Sequence, residues 1–102
     1  VTRLAFRQAA RADLRSIYRY IAADNPIRAR SFVLQIRTRC TLFREHPLVG
    51  RDRSDLAPGL RSFPLGGNVI IAYRPTPAVV EIVRIFYGGQ DYETFFRAGN
   101  DP

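Results

Sequence analysis

Three side chains in the second half of the chain, Arg61, Arg84 and Tyr87, are of types that together handle phosphate chemistry. Cleaving a phosphodiester without metal requires a group that orients or deprotonates the attacking hydroxyl. It also requires cations for the charge developing on the phosphate and an acid for the leaving oxygen. Two arginines on neighbouring strands and a tyrosine at a strand end supply the last two roles. The base is missing, because arginine stays protonated; the surrounding loop offers only His46, Arg51 and Arg53. The competing expectation is structural, with Arg61 and Arg84 bracing sheet and tail through carboxylates such as Glu81 or Asp91. His46 beside Pro47 is read as a helix-terminus residue, and Cys40, on an apolar stripe, as core. Gly66-Gly67 reads as a hairpin turn rather than a phosphate loop, because no helix follows. One Cys and one His exclude an internal disulfide and a structural zinc site. Neither metal nor cofactor is expected.

The elements that must position these groups follow from periodicity. Two runs rich in β-branched and aromatic residues, Asn68–Arg74 and Val79–Tyr87, flank Pro75-Thr76-Pro77-Ala78 and predict an antiparallel hairpin at the centre of one sheet. Strict alternation puts Val80, Ile82, Arg84 and Phe86 on one face and Val79, Glu81, Val83, Ile85 and Tyr87 on the other. Apolar residues on both faces suit a strand covered on both sides. Ala10, Leu14, Ile17 and Ile21 make one face of a helix from Gln8 to about Ala23. Asn25 as cap and Pro26 at the first position then start a second helix, which runs to about Glu45. A connection this short implies an antiparallel helical hairpin on the sheet. Val1–Phe6 predicts an edge strand, His46–Gly59 a polar loop, Leu60–Leu65 another strand, and Asp91 the cap of a short final helix; Ala98–Pro102 is expected to fray. The fold class is α+β, βααβββ, with the helical hairpin packed on a small, mostly antiparallel sheet, in a single domain over 1–102. One helical hairpin covers one face of a sheet. The other is closed by the tail, through Tyr92, Phe95 and Phe96, or keeps an apolar patch for a partner.

Sixteen basic residues, every one arginine, face nine acidic ones, for a net charge of +7. That balance favours an acidic protein or a nucleic acid as partner. Arg7, Arg11, Arg15 and Arg19 recur every fourth residue along the first helix, a ridge of like charges that costs about 0.2–0.5 kcal/mol per pair. It is either a solvated face or a landing strip for an acidic partner or a DNA complex. Hydrophobic residues make up 46% of the chain, with seven Phe and five Tyr, which argues for a folded globule. No run approaches the roughly 20 apolar residues that span a bilayer, so no membrane association is expected and the location is cytoplasmic by default.

Ordered short motifs carry a resemblance. They are Ala12-Asp13-Leu14 with Ile17, Tyr20 and Ile21; His46-Pro47 with Gly50-Arg51; Gly59 with Arg61-Ser62; Val69-Ile70 with Tyr73-Arg74; and Val80 to Ile85 with Gly88. In this order they span almost the whole chain, which resembles the RelE/ParE superfamily of type II toxin–antitoxin toxins, and the ParE branch most closely. The resemblance implies a toxin neutralised by a ParD-like antitoxin with an acidic C-terminal segment, in a hetero-oligomer. ParE members poison DNA gyrase by binding; RelE members cleave mRNA on the ribosome, with Arg61, Arg84 and Tyr87 as the groups to expect here. Departures are Tyr87, where the family usually has His, and Gln90, where a basic residue often follows. For the ParE branch, toxicity and target contact are expected at Arg61, Arg84, Tyr87, Tyr92, Phe95, Phe96 and Arg97. Antitoxin contact is expected at Arg11, Arg15, Tyr18, Arg19, Tyr20, Ile70 and Tyr73.

Overall fold

A computed structural model describes residues 2–100; Val1, Asp101 and Pro102 lie outside the described residues, and with them part of the expected edge strand and frayed tail. The chain runs β1 (Arg3–Phe6), α1 (Gln8–Ala22), α2 (Pro26–Glu45), β2 (Arg51–Asp52), β3 (Arg61–Leu65), β4 (Val69–Pro75), β5 (Val79–Tyr87) and α3 (Tyr92–Arg97). The strands form one sheet in the order β1-β5-β4-β3-β2. Only β1 joins it in parallel, beside β5; the other pairings are antiparallel. The α+β class and the helical hairpin are as expected. The loop expected at His46–Gly59 contains an additional strand, β2, in which Arg51 pairs with Ser62 and Asp52 with Arg61.

Local chemistry sets the element boundaries. α1 starts at Arg7, whose side chain makes no capping bond. α2 starts at Asn25, whose side chain accepts from the Arg28 N–H at 3.0 Å, with Pro26 following at the position where a missing N–H costs nothing. Asp91 caps α3 through the Thr94 N–H. The hydrogen bonds from Thr94 hold the Asp91 carboxyl below its ordinary pKa.

Two apolar clusters sandwich the sheet. The larger lies under the helical hairpin, with Ala10, Leu14, Ile17 and Ile21 of α1 and Ala29, Ile36, Cys40 and Phe43 of α2. They pack on Val69, Ile71, Tyr73, Val80, Ile82 and Ile85. Burial there pushes the Cys40 thiol up to about 12, so it behaves as a small apolar side chain. The second cluster, on the opposite face, joins Ala72, Val83 and Phe86 to Ala57 and Leu60 of the long loop and Phe96 of α3. This face is closed by the chain itself, through both the tail and the loop, rather than left as a patch.

Strict alternation along β5 fails at one place. The β4–β5 register steps from Ala72 opposite Arg84 to Tyr73 opposite Ile82, so Val83 is an extra residue, a β-bulge. The bulge shifts the pattern by one residue: Val80, Ile82 and Ile85 share the helical face, whereas Val83 and Phe86 turn to α3. A period of two read from sequence cannot register a bulge, because nothing in the residue types of Ile82–Arg84 demands one.

Candidate interaction surfaces

The arginines divide by what they touch. Arg84 leaves the sheet where β1 has ended and β5 becomes an edge. Its Nε and Nη2 donate to both carboxylate oxygens of Asp13 on α1, at 2.7 and 2.8 Å. The same carboxylate accepts the Ile85 N–H at 2.8 Å, and the Gln90 side-chain carbonyl accepts the Tyr87 N–H at 2.9 Å. Two backbone donors that would otherwise face open solvent along the strand edge are thereby occupied. The bond to Asp13 raises the Arg84 pKa above its ordinary value. Its guanidinium also lies over the rings of Phe95 and Phe86, 4.7 and 5.4 Å from their centroids. Arg84 thus ties α1 to α3 around the sheet edge. Its partner is Asp13 rather than the expected Glu81 or Asp91; Glu81 pairs instead with Arg7, at 3.0 Å.

A second network centres on Arg53, a buried guanidinium. It donates to Asp55 at 3.1 and 3.0 Å, to Glu93 at 2.6 Å and to the Tyr92 hydroxyl at 2.7 Å. These bonds raise the Arg53 pKa further, and the bond from Arg53 holds Asp55 below the usual carboxylate range. They clasp α3 to the loop between β2 and β3. Sequence reasoning placed Arg53 only as a spare cation in a polar loop. The available signal was the mixed-charge run Arg51–Asp55 together with Glu93 in the final helix.

A third node explains the His46-Pro47…Gly50-Arg51 motif. The Tyr73 hydroxyl donates to the Pro47 carbonyl and accepts the Gly50 N–H, each at 2.8 Å, while Arg61 Nη1 donates to the Gly50 carbonyl at 2.6 Å. A Cβ on Gly50 would meet the Tyr73 ring and hydroxyl at 2.6 Å, so only glycine fits. Tyr73 is buried, stacked on Phe43 with centroids 4.0 Å apart, and burial raises its pKa.

These positions correct several expectations. Arg61 and Arg84 are not on neighbouring strands; β4 lies between them. Arg61 shares the helical face with Phe63, whereas Arg84 lies with Phe86 on the α3 side. Tyr87 packs edge-on against Phe32 and Tyr20 of the helices, with centroids 5.6 and 6.0 Å away. The phosphate-handling triplet is therefore dispersed over two faces and opposite sides of the sheet. Tyr73, expected as an exposed contact, is core. Phe96 is buried in the second cluster, which Ile70 flanks as a half-buried residue. Of the other tail residues, Tyr92 and Phe95 are half-buried and Arg97 is exposed, 3.9 Å from Asp55.

The outer helical surface is different. Arg11, Arg15, Tyr18, Arg19 and Tyr20 are exposed, Tyr20 at 73%. Between Gln8 and Glu45 the chain has eight arginines against Asp13, Asp24 and Glu45, and Asp13 is already engaged by Arg84. Among the described residues none of those eight has a carboxylate oxygen within 4.0 Å; Arg37 and Arg39 instead lie over the rings of Phe6 and Phe63, 5.3 and 5.8 Å from their centroids. Leu34, 62% exposed, lines a groove of about 590 Å³ that reaches Arg39, Arg44 and Leu65. Tyr20 and Tyr87 border another of about 320 Å³ beside the open edge of β5.

A five-stranded sheet with a helical hairpin on one side, a clasped short helix on the other and an arginine-rich outer surface defines the class: a small α+β protein that presents a cationic face. The sequence matches the ParE toxins of type II toxin–antitoxin systems, parDE, over residues 4–92, and the chain belongs to that family. Among solved structures it is similar to a chain of the chromosomal ParDE toxin–antitoxin system from P. aeruginosa. The two share 25% identity and a TM-score of 0.72, covering 84% of this chain and 95% of that one. No curated protein gives a significant match. No described helix is long and apolar enough to cross a membrane.

Proposed function

We propose that this chain is a toxin that inhibits DNA gyrase by binding it, with no chemistry of its own, and that a ParD-like antitoxin neutralises it in a hetero-oligomer. The observation that carries the choice between binding and cleavage is the dispersal of Arg61, Arg84 and Tyr87. A nuclease needs cations and acid around one phosphate. Here Arg84 is engaged by Asp13, Arg61 by the Gly50 carbonyl, and Tyr87 lies among aromatic rings. Target contact is proposed at the open side of α3, through Arg97 and the half-buried Tyr92 and Phe95, and at the β5 edge beside Tyr87. Antitoxin contact is proposed on the helical hairpin, with Tyr18 and Tyr20 as anchors and Arg11, Arg15 and Arg19 as cations for an acidic segment that folds as it docks.

Purified chain added to a gyrase supercoiling reaction is expected to accumulate cleaved DNA. Cut transcripts in a translation extract, abolished by Tyr87→Phe, would replace this function with ribosome-dependent cleavage. Addition of the antitoxin is expected to restore supercoiling.

A further inference from the structure

The outermost line of α2 carries no arginine, on a chain of net charge +7. Ala29, Ile36, Cys40 and Phe43 define the buried side of α2, and at about 100° per residue Thr38 lies opposite them. Ser31, Leu34, Gln35, Thr41, Leu42 and Glu45 all fall within about 60° of the line through Thr38. The arginines of α2, Arg28, Arg30, Arg37, Arg39 and Arg44, fall outside it. On α1 the corresponding outer line holds Arg15 and Arg19. The strip on α2 is open. Leu34 is 62% exposed, Ile27 continues the line at 82%, and the groove of about 590 Å³ that reaches Leu65 lies along it. Its one ionised group, Glu45, has no ion pair among the described residues.

From this strip we infer that two copies of the free chain associate, α2 running antiparallel to α2 about a two-fold axis at Thr38. A two-fold contact repeats every pairing, so the strip must match itself in reverse. It does so at each position. Leu34 and Leu42 lie four residues either side of Thr38, and each meets the other on the second copy. Gln35 and Thr41 lie three residues either side; the Thr41 hydroxyl donates to the Thr38 carbonyl at 2.6 Å and is free to accept the Gln35 amide. Ser31 and Glu45 lie seven residues either side, which sets a hydroxyl donor against a carboxylate. Arg28, one turn before Ser31, reaches the same Glu45 from the flank, giving two symmetric ion pairs. Two cationic chains approach most closely where neither carries arginine. An acidic polypeptide is the rival occupant, yet within the strip it finds no cation and meets Glu45. From Ser31 to Glu45 the contact is about 21 Å long, so it buries less than about 1,200 Å² in total, the size of a weak association. Self-association goes beyond the toxin reading, and neither gyrase nor antitoxin enters its test.

The experiment is sedimentation velocity of the free chain between about 10 and about 500 µM, the range in which a contact of this size associates. The unmodified chain is expected to pass from monomer toward dimer. Thr38→Arg sets two guanidiniums against each other on the axis and is expected to weaken the dimer about tenfold or more. Glu45→Arg is expected to weaken it by a similar factor. Arg28→Glu/Glu45→Arg restores opposite charges across the two-fold and is expected to recover the affinity to within about threefold. Both changes suit the dipole of α2, an acid near its start and a base at its end, so the helix is kept. Arg19→Gln, outside the strip, is expected to leave the dimer unchanged. A chain that stays monomeric at the highest concentration overturns the inference and leaves the strip to a different protein. A dimer that survives Thr38→Arg also overturns it, as does a charge-swapped variant no better than Glu45→Arg alone. Circular dichroism shows whether each variant is folded, and Leu34→Lys replaces Thr38→Arg if that variant unfolds.

Discussion

The two sides of the sheet use the same side chain in opposite ways. On the α3 side Arg53 and Arg84 are each tied to carboxylates on another element, one clasping loop to tail, the other tail to first helix. On the helical hairpin, among the described residues, no carboxylate comes within ion-pair distance of any of the eight arginines, and only Arg37 and Arg39 are seen stacked on rings, those of Phe6 and Phe63. A cation that ends its bonds inside its own chain contributes to the fold and is lost to a partner. A cation left beside like charges costs stability and is available. Residue type alone does not separate the two. The separation comes from where the nine acids fall, and six of them lie beyond residue 50.

The comparison can be broken from the structural side first, where effects are largest. Gly50→Ala forces its methyl into the Tyr73 ring and the Ser62 carbonyl, 2.6 and 2.9 Å away. It is expected to cost about 3 kcal/mol from overpacking and the loss of the buried hydroxyl bonds, read as a lower midpoint in urea unfolding. Next is Asp13→Ala, which leaves Arg84 and the Ile85 N–H without a partner. Because Arg84 is partly exposed the cost is about 2 kcal/mol, and Asp13→Asn, which keeps an acceptor for Ile85, recovers part of it. An unchanged Asp13→Ala melting curve would remove the structural role given to Arg84.

The Arg53 clasp gives a smaller effect that depends on pH. The folded-state pKa of Asp55 is depressed by Arg53, so its contribution is fully present above the unfolded carboxylate value of about 3.9 and is lost as pH falls through the lower folded value. Asp91, depressed by Thr94, acts in the same direction. Hydrogen-exchange protection factors in α3, corrected for the intrinsic rate at each pH, are expected to fall on acidification through that window before those of the helical hairpin do. Arg53→Met fills the buried site without the charge and should cost about 1 kcal/mol, since Asp55 and Glu93 are left substantially solvated. It should also make α3 exchange less sensitive to acid.

The fold was readable wherever one local signal decided an element. Asn25-Pro26 placed the start of α2, the Pro-Thr-Pro turn separated β4 from β5, and the apolar spacing from Ala10 to Ile21 fixed the buried face of α1. What was not legible needed two distant elements at once. Val83 becomes a bulge only in the register of β4, which is why strict alternation misassigned the faces of β5. Tyr73 looks like a surface aromatic until Gly50 and Pro47 close over its hydroxyl. Arg84 had three carboxylates to choose from, and Asp13 wins because β1 stops at Phe6 and leaves that edge to α1. The candidate catalytic triplet was plausible in types, and its members lie on two faces of the sheet, since spacing along strands says nothing about which face a bulge will turn a residue toward.

The division between structural and available guanidiniums is tested most directly by thermal unfolding of two charge-matched variants in one buffer. Arg53→Gln/Arg84→Gln is expected to melt more than ~10 °C below the unmodified chain, corresponding to about 2–3 kcal/mol for a domain of this size. Arg15→Gln/Arg19→Gln should melt within ~3 °C of it, or higher, because like charges are relieved. Equal losses in the two variants would contradict the account, since the surface arginines would then be holding the fold together.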